Sequence, residues 1–451
     1  MRWITLVLAL ALPAVAADKV KEKEPGPKTT GQIYAWKSKD GLAYYYRIPK
    51  NYDAEKGANL TLILHGSNLD RRWGFANHSF KTFRPDDVVV SPDGTTSNGN
   101  GGFNFLDGKK DVERLHDLQM ELKRKLNLHA TFLYGHSQGS FFAFLYAGEY
   151  PEDVQGVVGH ASGTWTNTRR GKKGHHHAIV LMHGTQDPVV PYFQSPGGYQ
   201  GYVEAKYPMV RLRSLEGWNH WPAEHNGPLP HTSQQLAWCE GMTTDDPERM
   251  EACFDFLASC KSKERTDYAA VYRLAQHIAE SELAPEPLKR RAAAAVRTVE
   301  KLAAAHVKAF GDVDLAEFEA DAWIGHVPMF LRAFMDVPAR EEFAAKWQKV
   351  LDKQAKEGAK QYSKYWSAMQ KDARDKAFVA GVAAFKAGYL WQRVSDHIFL
   401  KNLAGWHKDA KDLRIPKKAL KDYDTYLKSL DKLLKKGARD FDAINRKCGK
   451  L

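Results

Sequence analysis

The segment TFLYGHSQGSFFAFLYAGEY, residues 131–150, constrains the fold of this chain more than any other part of the sequence. It starts with an apolar run typical of a buried strand, passes through GHSQG (135–139), and continues with apolar residues typical of a helix. The pattern G-x-S-x-G requires a sharp turn from strand to helix, in which the two glycines keep side chains away from the crowded backbone around the serine. Such a turn projects the Ser137 hydroxyl from the end of a strand, and we therefore predict Ser137 as a nucleophile.

Short apolar runs alternate with helical patterns on both sides of this segment. Asp40-Gly41 is a hairpin signal that precedes them, and apolar residues at helical spacing predict a helix over 111–127. Strands and helices that alternate in runs this short predict an α/β domain with a doubly wound, mostly parallel sheet that is buried on both faces. The predicted strands cover residues 60–64, 87–91, 131–134, 156–160, 178–182 and 210–215.

The composition of the chain changes near residues 256–264. Glycine, proline and short β-rich runs come before this point, whereas alanine, lysine and leucine in long glycine-poor stretches come after it. The formal net charge of +12 lies entirely after Cys260, because acidic and basic residues are equal in number before it. A chain of 451 residues is too long for one ordinary core. We predict an α/β domain over 32–260 and a basic, all-α domain over 261–451, as a helical bundle in preference to a short α-solenoid. Helices predicted in the second domain include 338–356 and 358–404, the latter with a break near Gly381 or Gly388 as an alternative to one continuous helix.

The first residues have the pattern of a secretory signal peptide. One arginine precedes an apolar stretch over 3–15, and small residues suited to cleavage follow it. This stretch is too short to cross a bilayer and contains Pro13, and no later segment is long and apolar enough to cross one. We expect a signal peptide over 1–17, a linker over 18–31 and a secreted or periplasmic protein, with a buried N-terminal helix as the alternative.

The four cysteines of the chain are consistent with an oxidising compartment, where disulfides form. Four cysteines allow three pairings, and the sequence does not choose among them. The close CxxC-like pairs of a zinc site are absent from the sequence. The cysteines are Cys239, Cys253, Cys260 and Cys448.

A serine nucleophile needs a base, and the base needs an acid that orients it; in a sheet of this kind both follow the ends of later strands, the acid first. Asp187 follows the predicted strand 178–182 and is the only acidic residue between Asp153 and Glu204. His220 follows the next strand, in GWNHWP. We predict Asp187 as the acid and His220 as the base. The other nearby histidines, His225 and His231, lie farther from the strand end, in a proline-rich loop.

Acyl transfer also requires donors for the oxyanion that develops on the carbonyl oxygen. One predicted donor is the backbone N–H of Gln138, the residue after the nucleophile. The other is the backbone N–H of Ser67 in the loop LHGSN, with Asn68 as the alternative. The chemistry requires neither a metal nor an organic cofactor, and the histidine triplet 175–177 precedes a strand at the opposite end from the site.

These features together resemble the α/β-hydrolase superfamily, across roughly residues 32–256. The segments LHGSN, DVERLHDLQMELKRKLNLHATFLYGHSQG, HGTQDPVVP and GWNHWP are most similar to secreted esterases of the polyhydroxybutyrate-depolymerase-like and feruloyl-esterase-like group. Those families use serine, aspartate and histidine, with a Trp-Pro pair after the histidine that Trp221 and Pro222 match here. The resemblance implies an α/β-hydrolase fold.

We therefore expect a serine hydrolase that cleaves carboxylic esters through an acyl-enzyme. Its substrate is expected to be an ester, either a small molecule or a polymer, and the aromatic residues Trp221 and Trp218 beside the histidine are candidates for binding it. Two alternatives remain open. One is a peptidase of the prolyl-oligopeptidase type, although only a short linker and a hairpin precede the α/β domain here. The other is a non-catalytic protein of the same fold whose basic helical domain binds a polyanion; no nucleic-acid motif accompanies this charge.

Overall fold

A computed structural model gives the three-dimensional structure of the chain. The residues it describes are 20–76, 84–106, 108–170, 177–185, 187, 189–215, 217–221, 229–259, 266–311, 325–388 and 397–448. The predicted signal peptide lies outside these residues, and so does the predicted boundary at 260/261.

A nine-stranded sheet forms the centre of the first half of the chain, with strand order β1-β2-β3-β5-β4-β8-β9-β10-β11. β3 pairs antiparallel with β2 and β5, and the other neighbours pair in parallel. The predicted doubly wound, mostly parallel sheet is confirmed. The strands are β1 (Lys21–Glu22), β2 (Ile33–Lys37), β3 (Ala43–Arg47), β4 (Ala58–Leu64), β5 (Val88–Pro92), β6 (Thr96–Ser97), β7 (Phe103–Asn104), β8 (Leu128–His136), β9 (Gly156–His160), β10 (Ala178–Gly184) and β11 (Val210–Leu215); β6 and β7 form a separate hairpin.

Helices cover both faces of the sheet. Successive residues of a strand point to opposite faces, so neighbouring apolar residues of one strand pack against different helices. Val157 of β9 and Leu181 of β10 pack with α2, α3 and α4 in one cluster, whereas Val158 and Val180 pack with α5 and α6 in another. All four of these side chains are fully buried, as predicted for a sheet covered on both sides. These helices and the short α1 are α1 (Arg72–Ala76), α2 (Gly108–Lys125), α3 (Gln138–Glu149), α4 (Gln194–Glu204), α5 (Leu229–Thr243) and α6 (Pro247–Ser259).

The described residues after 265 are helical apart from their connections, as predicted for an all-α region. The cluster on the α5–α6 face continues into α7, α8 and α9 and includes Phe441 of α14. A separate cluster lies within α10–α14 and contains Tyr365, Phe378 and Leu403. The helices are α7 (Tyr268–Glu280), α8 (Glu286–Phe310), α9 (Val327–Ala333), α10 (Pro338–Gln370), α11 (Arg374–Gly388), α12 (His397–Lys408), α13 (Lys417–Tyr426) and α14 (Leu430–Cys448).

The helix boundaries predicted for 338–356 and 358–404 are wrong. α10 runs through Gly358 without a break and ends near Gln370. Asp372 then takes the left-handed conformation, with φ of 48°, which stops a helix in the way that C-terminal caps do. This break is therefore set by the cap, whereas α11 runs through Gly381 and has Gly388, the other predicted break position, as its last described residue.

Cys239 and Cys253 are buried free thiols, so a pairing that uses all four cysteines is not present. Burial raises the pKa of Cys239 well above the ordinary range and that of Cys253 to about 12. Cys260 and the side chain of Cys448 lie outside the described residues. Among the helices that the structure describes, none has the length and apolar character to cross a bilayer.

Candidate active site

Ser137 lies in the sharp turn between β8 and α3. Its backbone is held at φ 51° and ψ −122°, a conformation that strains any residue with a side chain. The Ser137 N–H donates to the carbonyl of His160 at 2.8 Å, which ties the turn to the neighbouring strand. A Cβ atom on Gly135 would meet the carbonyl of Gly139, and one on Gly139 would meet the carbonyls of Leu64 and His65. Both glycines of the motif are therefore required by close packing of the backbone around the serine.

The loop after β4 lies against this turn. A Cβ atom on Gly66 would lie 3.4 Å from the Cβ of Ser137, so a glycine lets the loop approach the serine closely. The amide of Asn68 donates to the Phe103 carbonyl and to Asn104 Oδ1, each at 3.1 Å. Among the described residues the Ser67 amide has no acceptor. Of the two candidate amides, Ser67 and Asn68, the Ser67 amide is therefore the one available to an oxyanion.

The second predicted donor, the Gln138 amide, is the first amide of α3 and has no acceptor within the helix. The Gln138 side chain has a different partner, because its Oε1 accepts the amide of Phe105 at 3.0 Å. This contact fixes the loop after β7 beside the turn. The sequence pattern gave no signal for it.

His65 connects the loops on this side of the site. Its Nδ1–H donates to the Gly66 carbonyl at 2.8 Å, and its Nε2 accepts the amide of Gly94 at 3.1 Å. Burial lowers the pKa of His65 to about 4, which keeps the ring neutral and able to accept at Nε2. His65 thus holds the backbone next to Ser67 in place.

Asp187 follows β10 and is almost completely buried. Its Oδ1 accepts the amides of Val189 and Val190, both at 2.8 Å. Its Oδ2 lies 2.7 Å from Nδ1 of His220 and 3.0 Å from Nε2 of His183. Burial alone raises the pKa of this carboxyl, but the hydrogen bonds from His183 and His220 outweigh it and hold the pKa well below the ordinary value. The acid is therefore fully ionised where it meets His220.

His220 lies in the loop after β11 and is 4% exposed. The structure brings it together with Asp187, and its ring centroid lies 4.9 Å from that of His136, the residue before the serine. Among the described residues no hydrogen bond joins His220 to the Ser137 hydroxyl. Catalytic hydrogen bonds of this kind commonly tighten only when substrate binds. Of the other two histidines considered, His225 lies outside the described residues, and His231 is buried in α5 with its ring edge-on to Trp218.

The two tryptophans near His220 have different environments. Trp221 is 37% exposed, and its ring meets that of His220 edge-on, with 5.5 Å between the centroids. Trp218 is half-buried and packs against the cluster on the α5–α6 face. Trp221 is thus the one with a large free surface beside the site.

Two further histidines lie beneath the site. Nδ1 of His160 is 3.0 Å from Nδ1 of His136, and the two residues are paired in the register of β8 and β9. Burial, followed by the neighbouring His183 and His220, lowers the pKa of His160 well below its ordinary value. Within the residues that the structure describes, no set of three or more histidine, cysteine or acidic side chains is arranged to hold a metal ion.

Comparison with known proteins agrees with this architecture. The family model described as alpha/beta hydrolase fold matches residues 91–178, which include the turn at Ser137. No curated protein matches the chain.

Several solved esterases are similar to part of this chain at low identity. Esterase PE8 is 22% identical over 43% of this chain and 97% of that chain, with a TM-score of 0.36. A thermostable esterase is 18% identical over 50% of this chain and 62% of that one, with a TM-score of 0.34. Est1E from Butyrivibrio proteoclasticus, solved with ferulic acid bound, is 16% identical over 41% and 89% of the two chains, with a TM-score of 0.32.

The family match over residues 91–178 includes the strained turn at Ser137 and its two close-packed glycines. Together with the mostly parallel nine-stranded sheet, this match shows an alpha/beta-hydrolase fold in the first half of the chain.

Proposed function

We propose that the protein is a serine hydrolase that cleaves carboxylic esters through an acyl-enzyme. The observation that carries the proposal is the strained turn that presents Ser137. This turn lies at the same edge of the sheet as the buried Asp187–His220 pair, where the parallel strands β8, β10 and β11 end. A nucleophile, an orienting acid and a base that follow the parallel strands β8, β10 and β11 form the arrangement that acyl transfer requires.

In the proposed reaction the Ser137 Oγ attacks the ester carbonyl carbon while His220 takes the hydroxyl proton. The negative charge on the carbonyl oxygen is accepted by the amides of Ser67 and Gln138. When the tetrahedral intermediate collapses, the alcohol leaves with the proton from His220, and the acyl group stays on Ser137. Water then attacks the acyl-enzyme with His220 again as base, which releases the acid and restores the serine. Asp187 remains ionised throughout and stabilises the His220 imidazolium.

Trp221 is proposed to contact the substrate, since it is the exposed aromatic ring beside His220. A small-molecule ester or a polymer with accessible ester bonds would meet this ring at the surface. The chemistry needs no metal or organic cofactor.

The test is the hydrolysis of a short-chain nitrophenyl ester by the purified protein, beside Ser137→Ala. Removal of a triad member costs orders of magnitude in kcat, so we expect turnover by the parent and near loss in the variant. Ser363→Ala is the matched control, because Ser363 is an exposed serine on α10. A folded parent without turnover of any ester contradicts the proposal and favours a non-catalytic role in which the basic helical region binds a polyanion.

The peptidase alternative is tested with matched ester and anilide substrates that share one acyl group. An esterase turns over the ester far faster than the anilide. Comparable kcat/KM values for the two would favour the peptidase.

Export is the remaining part of the proposal and rests on the apolar stretch over 3–15. N-terminal sequencing of protein recovered from a secreting host tests it. A mature chain that starts after Ala16 or Ala17 is expected, and an intact N-terminus in an export-competent host would contradict it.

A further inference from the structure

His183 is a second histidine on the predicted catalytic acid. It is the penultimate residue of β10, and its side chain is fully buried. Nε2 lies 3.0 Å from Oδ2 of Asp187, the same oxygen that meets His220. Nδ1 lies 2.8 Å from the hydroxyl of Ser195 on α4. Both ring nitrogens are thus engaged, and the atoms they meet determine which of them carries a proton.

The hydroxyl of Ser195 has only one proton to donate. It hydrogen-bonds to the carbonyl oxygen of Ser162, which can only accept, so the proton lies in that bond. Ser195 Oγ therefore meets the His183 ring as an acceptor. The hydrogen bond at 2.8 Å then requires a proton on Nδ1 of His183.

The other ring nitrogen also faces acceptors alone. Nε2 of His183 lies 3.0 Å from the Asp187 carboxylate and 3.0 Å from the carbonyl of Val190. Neither of these groups has a proton to give, since Asp187 is ionised and a carbonyl only accepts. Nε2 must donate as well.

We propose that His183 is a doubly protonated imidazolium that serves as the fixed counter-ion of Asp187 and as a positioning residue for it. His183 holds Oδ2 in place between two ring N–H donors, its own and that of His220. The cation also compensates the buried carboxylate charge, which would otherwise be costly.

The other groups around His183 do not supply a competing charge. His160 on β9 is kept neutral by its burial. The Tyr192 ring lies 5.4 Å away between centroids, and its hydroxyl hydrogen-bonds to Ser214. Asp187 is the carboxylate in direct contact with the ring.

One consequence rests on the proposed function. The positive charge that His183 places beside Asp187 opposes a second positive charge on His220, because both rings contact the same carboxylate oxygen. Removal of that charge by His183→Gln should move the acidic limb of the kcat/KM profile upward by about one pH unit, the usual size for a charge at this range. A purely structural role for His183 would lower activity without such a shift.

The direct experiment is heteronuclear NMR of the full chain labelled with ¹⁵N at its histidines, recorded at pH 8. His183→Gln identifies the signals that belong to His183. Two protonated ring nitrogens at this pH are expected, whereas one protonated and one bare nitrogen would overturn the proposal. This measurement needs no substrate, so it decides the inference even if the parent proves inactive, an outcome that would count against the proposed function alone.

Two further variants complete the test. Ser195→Ala removes the acceptor at Nδ1 and leaves Asp187 untouched, so we expect loss of the Nδ1 proton and the same upward shift of the acidic limb. It also provides the answer if His183→Gln does not fold. His177→Gln is the matched control: His177 is a buried histidine just before β10, at the far end of the same strand, bonded to the Tyr207 hydroxyl. An acidic limb that shifts equally in this control, or in neither variant, would refute the proposed role.

Discussion

Arg211 of β11 hydrogen-bonds through its guanidinium to the carboxylate of Asp267, the residue that caps α7, at 2.5 Å. Both side chains are at most 3% exposed. Asp267 also accepts a hydrogen bond from Gln235 of α5 at 2.9 Å and one from the Ala270 amide at 3.2 Å. A single buried carboxylate thus joins the sheet, the helix that covers it and the first helix of the C-terminal region.

Asp267→Ala is expected to lower the free energy of unfolding by about 3–5 kcal/mol, because it leaves Arg211 buried without its carboxylate partner. Urea denaturation followed by circular dichroism measures the loss. Glu113→Ala is the control, since Glu113 forms an exposed pair with Lys109 and should cost no more than about 1 kcal/mol. Similar losses in the two variants would contradict the importance assigned to the buried pair.

The same carboxylate makes stability depend on pH. Although burial raises the pKa of Asp267, Arg211 and Arg213 hold it well below the ordinary value. Its contribution is fully present above the unfolded pKa of about 3.9 and is lost as the pH falls below that value toward the folded pKa. Denaturation midpoints of the parent should therefore drop steeply below about pH 4, and those of Asp267→Asn less so. Parallel curves for the two proteins would be inconsistent with this linkage.

Asp187→Asn is expected to lower kcat by roughly 10⁴-fold, because the amide no longer holds His220 in the required tautomer. Initial rates with a nitrophenyl ester provide the measurement. Asp153→Asn is a matched control: Asp153, in the turn that follows α3, meets His116 of α2 at 3.1 Å in a half-buried pair. Loss of activity in the control, or little loss in Asp187→Asn, would argue against Asp187 as the orienting acid.

The proposed role of the Ser67 backbone N–H as an oxyanion donor can be separated from effects of the Ser67 side chain. Ser67→Pro removes the backbone N–H and should reduce kcat by about 10²–10³-fold, the usual effect of one lost donor. Ser67→Ala keeps the N–H and should leave kcat nearly unchanged. The thermal midpoint of each variant shows whether the loop still folds. If a folded Ser67→Pro retains parental kcat, Ser67 is not a donor.

The two tryptophans should respond differently to truncation. Trp221→Ala removes an exposed ring and is expected to lower kcat/KM for an aromatic ester by about two- to tenfold, as for the loss of one aromatic contact of about 0.5–1.5 kcal/mol, at an unchanged thermal midpoint. Trp218→Ala removes part of a packed cluster and should lower the midpoint. Trp366→Ala is the control, since Trp366 is 42% exposed on α10. A drop in kcat/KM in this control equal to that in Trp221→Ala would rule out a specific contact at Trp221.

Local patterns in the sequence were sufficient to predict the sheet, the turn at Ser137, and Asp187 and His220 as residues that follow later strands. Alternation along a strand and the close approach of Gly135 to Gly139 depend on neighbours in the chain, so their requirements are visible in the sequence, whereas Gly139 also packs against the distant carbonyls of Leu64 and His65.

Contacts between distant segments required the tertiary structure. The His183 ring meets Ser195 and Asp187 because β10, the residues that follow it and α4 converge. The choice between Ser67 and Asn68 as the candidate donor depended on Phe103 and Asn104, which accept hydrogen bonds from the Asn68 amide. The ion pair between Arg211 and Asp267 depended on how α7 packs against the sheet. Hydrogen-bond partners are set by the packing of whole elements, and no local pattern encodes that packing.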